Sequence, residues 1–411
     1  MGHFNFFTKF INRYKLFINI TLGRTSYFYK GLKQYDLIIF DTIFPHPVSG
    51  FRLEEFKTLL SEFENSKIML VADSYPLVKT PKELHPIHIN EFIKRNLNSK
   101  NKLKPLKGFV NLNTKLFYCV FINNVFMLLN DLEKNKIPFI FTLYPGGGFA
   151  MNNELSNDKL KKVCSSKMFR KVIVTQKITK DYLINNHFCT EDKIEFIFGG
   201  VVPQDSLTKN TADKKYFSQG KDTLDISFCA AKYMPKGIDK GYDVFIELAH
   251  SLLAKYNFIR FHVIGGFDEN DIDVSEISNN ITFYGYEKFE NLEKLFQNFD
   301  VLISPNKPFI LGNGAFDGFP VGTVVEAALN GVMVIISDDL QQNTTFVNNQ
   351  EVIIVESNSD RIEKTLISLI NNPKVMIEIA TTGKLKFQEI YSNKVQMNPR
   401  IDILKKFIAN K

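Results

Sequence analysis

The sequence predicts a doubly wound α/β protein built as two domains with a cleft between them. Three observations carry this. Short apolar runs alternate with helical patterns along most of the chain, and strand–helix–strand alternation builds parallel sheets covered by helices. Most of the runs are apolar throughout rather than at every second residue, as in strands buried on both faces. The chain has 411 residues, which is too long for one ordinary core.

The elements follow in order. "YDLIIFDT" (35–42) reads as a buried strand, with a helix from about Leu53 to Glu64 after it. "KIMLVAD" (67–73), "IPFIFTLY" (137–144), "RKVIVTQ" (170–176) and "KIEFIFG" (193–199) are further strands separated by helical pattern. At 203–224 the pattern lapses into polar residues, which marks the domain boundary. Alternation then restarts with "DISFCAA" (225–231), a helix over 241–256 and "FIRFHVIGG" (258–266). "NITFYGY" (280–286), a helix over 287–299, "DVLISPN" (300–306), a helix ending at Asn330 and "VMVIISDD" (332–339) complete the second half, and two helices finish the chain. The expected domains are 1–205 and 206–395, with a last helix at 396–411 packing back on the first domain.

Composition narrows the function. An apolar share of 44% and a charged share of 23% suit a soluble globular protein. Cys119, Cys164, Cys189 and Cys229 have no short pairing, which argues against a disulfide scaffold or zinc site and suits a reducing cytoplasm. The seven histidines form no HxxxH or HExxH group, so no metal is expected. The net charge of +7 is uneven. Before the first acid, Asp36, the chain carries Lys9, Arg13, Lys15, Arg24, Lys30 and Lys33 among many aromatic residues. Residues 1–30 can therefore lie on an anionic membrane surface, or form a core-facing element with a basic rim. The longest apolar run, 117–129, falls short of the ~20 residues that span a bilayer. The protein is expected to be cytoplasmic, peripheral at most, and not a nucleic-acid binder.

Four loops follow strands, where α/β sheets bind ligands. "FPHPVSGFR" (44–52) offers Gly50 and backbone amides to an anion. "YPGGGF" (144–149) places Tyr144 before Gly146, Gly147 and Gly148 but lacks Walker and dinucleotide spacing. "AAKYMPKGIDKGYDVF" (230–245) presents Lys232, Lys236 and Lys240 beside a helix start, which suits a diphosphate. "GNGAFDGFPVGTVVEAALNG" (312–331) carries Asp317 and Glu326, the latter expected in the first helical turn. Plainer readings exist for each: turns, a flexible bend, solvated lysines, helix-dipole compensation by Glu326 and an Asx-turn at Asp317.

Taken together, the loops resemble glycosyltransferase family 4, retaining sugar-nucleotide transferases of the GT-B fold with two Rossmann-like domains. "DGFPVGTVVEAALNG" looks like that family's "EGFPxxxxEAMACG", an E-x7-E motif, and "AAKYMPKGIDKGYDVFIELA" looks like its "GRLxxxKGxDxLIxA" segment. The amino half matches only loosely. The resemblance implies that Lys232 and Lys240 grip the donor diphosphate and Glu326 binds the ribose. Asp317 would lie near the donor sugar, Phe319 and Pro320 would shape its loop, and Gly50 would let the diphosphate approach. Tyr144 and the three glycines would form a loop near acceptor and sugar.

Three departures stand out. Eight residues, not seven, separate Asp317 from Glu326. Lysine replaces the usual arginine at Lys232, which keeps charge but loses the bidentate fork. Tyr144 stands where the family often has histidine. The implied activity is metal-independent hexosyl transfer from a nucleotide diphosphate sugar, with UDP-sugar favoured and no cofactor. The amino domain would bind a glycan or lipid-linked acceptor in surface-polysaccharide synthesis, and the carboxyl domain would bind the donor. Rival readings are an epimerase or phosphorylase of the same fold, or a degenerate transferase acting as a partner subunit.

Overall fold

The computed structural model describes residues 26–75 and 80–409. Most of the basic aromatic segment expected to meet a membrane therefore lies outside the described residues. Among the described residues no helix is long and apolar enough to cross a membrane.

Two parallel sheets organise the chain. The first uses β1 (Tyr35–Asp41), β2 (Ser66–Leu70), β3 (Leu103–Pro105), β4 (Thr114–Val120), β5 (Phe139–Leu143), β6 (Phe169–Val174) and β7 (Ile194–Phe196). Their order is β3-β2-β1-β4-β5-β6-β7. The second uses β8 (Leu224–Cys229), β9 (Ile259–Ile264), β10 (Ile281–Gly285), β11 (Val301–Ser304), β12 (Met333–Ile336) and β13 (Ile353–Ile354), in the order β10-β9-β8-β11-β12-β13. Both therefore start at the third strand, run back to the first and reverse there, the doubly wound order that opens a crevice between first and fourth strands.

The apolar runs explain the burial. Along β1, Ile38 and Phe40 join one apolar cluster while Leu37 and Ile39 join the cluster on the opposite face. Two-residue alternation of side chains thus feeds two cores at once. The helices α1 (Gly50–Glu62), α2 (Leu84–Arg95), α3 (Ile122–Lys134), α4 (Glu154–Cys164) and α5 (Lys177–Asn185) accompany the first sheet. In α3, Ile122, Val125, Leu128, Leu129 and Leu132 recur at helical spacing and are all buried. The side chain of Asn153 caps α4 by accepting from Ser156 N at 3.0 Å.

The second sheet is joined by α6 (Tyr242–Leu253), α7 (Phe289–Phe296) and α8 (Gly322–Leu329). Three helices then end the chain, not the two expected: α9 (Ser359–Asn371), α10 (Pro373–Ile390) and α11 (Asn393–Ala409). Only Asn372 separates α9 from α10, and Pro373 at the first helical position starts the new helix without losing a bond. That break is too short to read as a linker. The last helix, α11, returns to the first sheet, where Met397, Ile401 and Leu404 join the cluster around Leu37 and Phe56. Between the sheets, the polar stretch 203–224 holds one helical turn, Gln204–Leu207, and the short pair Tyr216–Phe217 with Gly220–Lys221.

Candidate active site

The amino-side wall begins where β1 ends. Asp41 is fully buried. It accepts from Ile43 N at 2.7 Å, Phe44 N at 2.8 Å, Arg52 Nε at 3.0 Å and Asn124 Nδ2 at 3.2 Å. A carboxylate holding that many donors fixes both the turn and the guanidinium. Arg52 also donates from Nη1 to Ser49 Oγ at 2.7 Å and lies 4.8 and 4.7 Å from the Phe51 and Phe121 rings. Beside it, Gly146, Gly147 and Gly148 have φ of 78°, 55° and 96°. A Cβ on Gly147 would sit 2.1 Å from the Phe121 ring, and one on Gly148 would sit 2.0 Å from Asn123 Oδ1. Left-handed backbone and contact with neighbours both require glycine there.

The carboxyl-side wall comes from the loops after β8 and β11. Lys240 is 6% exposed, and its Nζ donates to Asp317 Oδ2 at 2.6 Å. Asn306 Nδ2 donates to the same oxygen at 2.7 Å, and the Lys240 ammonium lies 5.0 Å from the Tyr233 ring. Lys307 Nζ donates to Asp243 Oδ2 at 2.7 Å. The long loop at 305–321 also reaches across to the other half. Met151 N donates to Gly314 O at 2.9 Å, Gln176 Nε2 donates to Phe319 O at 3.3 Å, and the Phe316 ring packs 5.9 Å from Phe149. The glycines of "GNGAFDGF" serve this crossing. Gly314 has φ of 73°, and a Cβ there would stand 1.6 Å from Met151 O. Gly314→Ala is accordingly expected to dislodge the loop. Limited proteolysis should then cut within 305–321 at protease levels that leave the wild type intact.

Both walls face one cavity of about 410 Å³. Arg52, Asn123, Gly146 and Gly147 line it from the amino side, and Tyr233, Lys307 and Asp317 from the other. Concave sites between halves, with a few fixed charges, are where α/β proteins take small ligands.

The residues singled out from sequence divide sharply. Asp317, Gly146 and Gly147 line the cavity, and Lys240 reaches it through its bond to Asp317. Phe319 and Pro320, joined by a cis peptide, are buried beneath the loop and line a small adjoining hollow of about 40 Å³ with Gly318 and Asp338. Lys232 turns instead to Asp271, with which it forms an ion pair. Asp271 belongs to "DID" at 271–273. Lys236 is exposed at φ of 58°. Gly50 opens α1 with ordinary φ, and its Cβ would merely touch Pro203 at 3.4 Å, so neither strain nor crowding demands glycine there. Tyr144 points into the protein: its hydroxyl donates to Glu55 Oε2 at 3.2 Å.

Glu326 needs a correction. The helix starts at Gly322, so Glu326 lies in its second turn, not its first. It sits beside Ser206, Lys209 and Glu293, apart from the cavity lining. Burial raises its pKa from 4.5 to about 7, against the opposing pull of Ser206 and Lys209. A raised carboxyl binds its proton more tightly when folded. Its stabilising contribution is complete below pH 4.5 and is lost as pH rises through about 7. Glu326→Gln should therefore remove roughly 3 kcal/mol of pH dependence, visible as a flatter melting temperature between pH 5 and 8.

Arg52, Asn306, Lys307 and Tyr233 were not singled out from sequence. The available signal for Arg52 was an acid closing a strand, Asp41, followed by a cation in the first turn of the next helix. Asn306 and Lys307 directly follow "LISP", at the end of a strand already identified.

Residues 226–385 match the family model described as glycosyl transferases group 1. No curated protein sequence matches the chain. Solved structures do. A glycosyltransferase from Rickettsia africae ESF-5 has a TM-score of 0.62 at 16% identity, covering 92% of this chain and 100% of its own. The fold is GT-B. Sucrose-phosphate synthase from Thermosynechococcus elongatus shares the GT-B frame with a TM-score of 0.60 at 13% identity, covering 92% of this chain and 100% of its own. So does Anabaena Alr3699/HepE in complex with UDP, with a TM-score of 0.59 at 12% identity over 92% of this chain and 98% of its own. In this GT-B frame the Lys240–Asp317 pair sits at the switch point of the carboxyl sheet and the Arg52–Asp41 pair at that of the amino sheet.

Proposed function

We propose that the chain is a retaining glycosyltransferase of family 4. It moves a hexose from a nucleotide diphosphate sugar to a glycan or lipid-linked acceptor, in surface-polysaccharide synthesis, without an obligatory metal. The carboxyl half holds the donor and the amino half holds the acceptor. The observation that carries the reading is the nearly buried Lys240 ammonium, paired with Asp317 on the wall of the shared cavity.

The chemistry follows from charge. The bond between the anomeric carbon and a phosphate oxygen breaks, and an acceptor oxygen forms the new bond on the same face. The acceptor proton leaves with the diphosphate. Negative charge grows on that diphosphate, and a fixed ammonium in a site of low exposure stabilises it more than water would. Asp317, itself held by Asn306, fixes Lys240 before the donor arrives. Asp317, which lines the cavity, accepts from sugar hydroxyls in this reading. Glu326 enters the reading as the ribose contact through its place in the motif, not through the cavity lining, and Lys232 as a second diphosphate contact once freed from Asp271. The GT-B neighbour solved with UDP and with UDP-glucose favours UDP as the carrier.

A thermal-shift panel of UDP-, GDP-, ADP- and CMP-sugars tests this. One nucleotide diphosphate sugar should raise the melting temperature of the wild type, and Lys240→Ala and Glu326→Ala should each lose most of that rise. Silence from every donor would defeat the assignment. Loss in Lys240→Ala alone would remove Glu326 from the donor site. The anomeric coupling constant in the product's proton spectrum decides retention.

A further inference from the structure

One surface outside the cleft has an unusual composition. From residue 92 to residue 130 the chain holds six lysines, one arginine and no acid. Within this stretch Leu103–Pro105, β3, is the terminal strand of the amino sheet. Residues 26–33 are bound to the same edge. Ser26–Tyr29 pairs in parallel with Gly108–Asn111. Asn111 then accepts from Gly31 N at 2.8 Å and donates to Lys33 O at 2.7 Å, and Asn113 Nδ2 donates to Gly31 O at 2.7 Å. Two acid-free segments, far apart in sequence, thereby become one face.

That face carries exposed Lys30, Lys33, Lys104 and Lys107, none of which forms an ion pair among the described residues. Asp36 pairs with Lys115 at 2.8 Å, and Glu64 acts on Lys102. The crowding is felt inside the edge, where burial, with Lys104 and Lys33 adding to it, lowers the Lys67 ammonium to about 8. Apolar side chains stand among these cations. Leu32 is wholly exposed, Phe109 is 52% exposed beside Tyr27, and Leu97 on the preceding turn is 75% exposed. A polyanion alone would gain nothing from Leu32 or Leu97. A bilayer surface gains from both, because headgroups meet the lysines while the apolar tips enter the interface.

We propose that the edge formed by residues 30–33 and 104–109 is a docking face for an anionic lipid bilayer. The commitment to lipid rests on the mixture of unpaired cations with exposed Leu32 and Phe109. It also rests on where the chain continues. Ser26 opens the strand at this edge, and the residues that precede it in the sequence carry cations and no acid. This proposal does not depend on the sugar donor or on the transferase reading.

The test is sedimentation of the full chain with vesicles of phosphatidylcholine, with and without phosphatidylglycerol. Wild type should bind only the anionic vesicles, and high salt should release it. A lysine near an anionic surface is worth about fivefold in binding. The variant Lys30→Glu/Lys33→Glu/Lys104→Glu/Lys107→Glu should thus bind at least tenfold more weakly while melting at the wild-type temperature. Leu32→Ser/Phe109→Ser should also bind the vesicles more weakly yet keep its retention on heparin. Equal vesicle binding by wild type and the four-lysine variant would overturn the proposal, because the contact would then lie elsewhere. So would a wild type that binds heparin or duplex DNA but no vesicle.

Discussion

Lys240→Ala is expected to lower kcat for the nucleotide sugar found by thermal shift by about 100- to 1,000-fold, the usual cost of removing one preorganised donor from a developing anion. The expectation rests on placement. The ammonium is almost wholly buried, held by Asp317 at 2.6 Å and flanked by Tyr233, so it neither wanders nor is replaced by water. The split between constants is the informative readout. Loss of donor binding raises KM, and if Lys240 also acts on charge that appears only as the sugar–phosphate bond breaks, kcat falls as well. Were KM alone to rise, the lysine would merely bind the donor. Lys240→Arg should recover only part of the rate, because a planar fork does not match the site of a compact ammonium. An alanine variant with wild-type kcat would remove the leaving-group role altogether.

Arg400→Ala should cost roughly 3–5 kcal/mol of stability, the usual penalty for stranding a buried charge. The charge stranded is Glu55. It is fully buried on α1, where it accepts from the hydroxyls of Tyr118 and Tyr144. Burial pushes its carboxyl upward in pKa, and Arg400 is the foremost group holding it down. Arg400 arrives from the opposite end of the chain on α11, fully buried, donating from Nη1 to Gln396 O at 2.5 Å. Chemical denaturation of Arg400→Ala should show the loss, and the midpoint of thermal unfolding should fall by on the order of 10 °C. The double variant Glu55→Gln/Arg400→Met should recover much of it, since a neutral pair strands no charge. A single variant as stable as wild type would mean that Glu55 is already neutral in the folded protein.

The two kinds of information in the sequence had different reach. The buried strands were legible because a parallel strand covered on both faces leaves an unbroken apolar run. One such run concealed its own boundary. Residues 117–129 read as a single apolar segment, whereas they are β4 and the start of α3 meeting at Phe121. Phe121 turns with φ of 69° and carries no glycine, proline or polar residue to announce the turn. The Gly-rich loops, by contrast, were visible because left-handed backbone needs glycine.

At the candidate site, what the sequence placed well was position along a strand. What it could not place was side-chain direction. Lys232, Lys236 and Lys240 lie on one loop, but their partners are Asp271, solvent and Asp317. Those choices depend on contacts 39 and 77 residues away. Tyr144 likewise meets Glu55 from 89 residues off. Glu326 shows the same limit at longer range, since Ser206 and Lys209 beside it come from before the second sheet begins.

The loop that connects β11 to α8 has a mechanical meaning beyond its lining of the site. It belongs to the carboxyl half, yet it is fastened to the amino half by the Met151–Gly314 hydrogen bond and by Phe316 against Phe149. The segment thus works as a latch. A hinge motion that parted the halves would have to undo a main-chain bond and withdraw an aromatic ring before the entrance could widen. Any widening of the entrance is thereby tied to that unfastening.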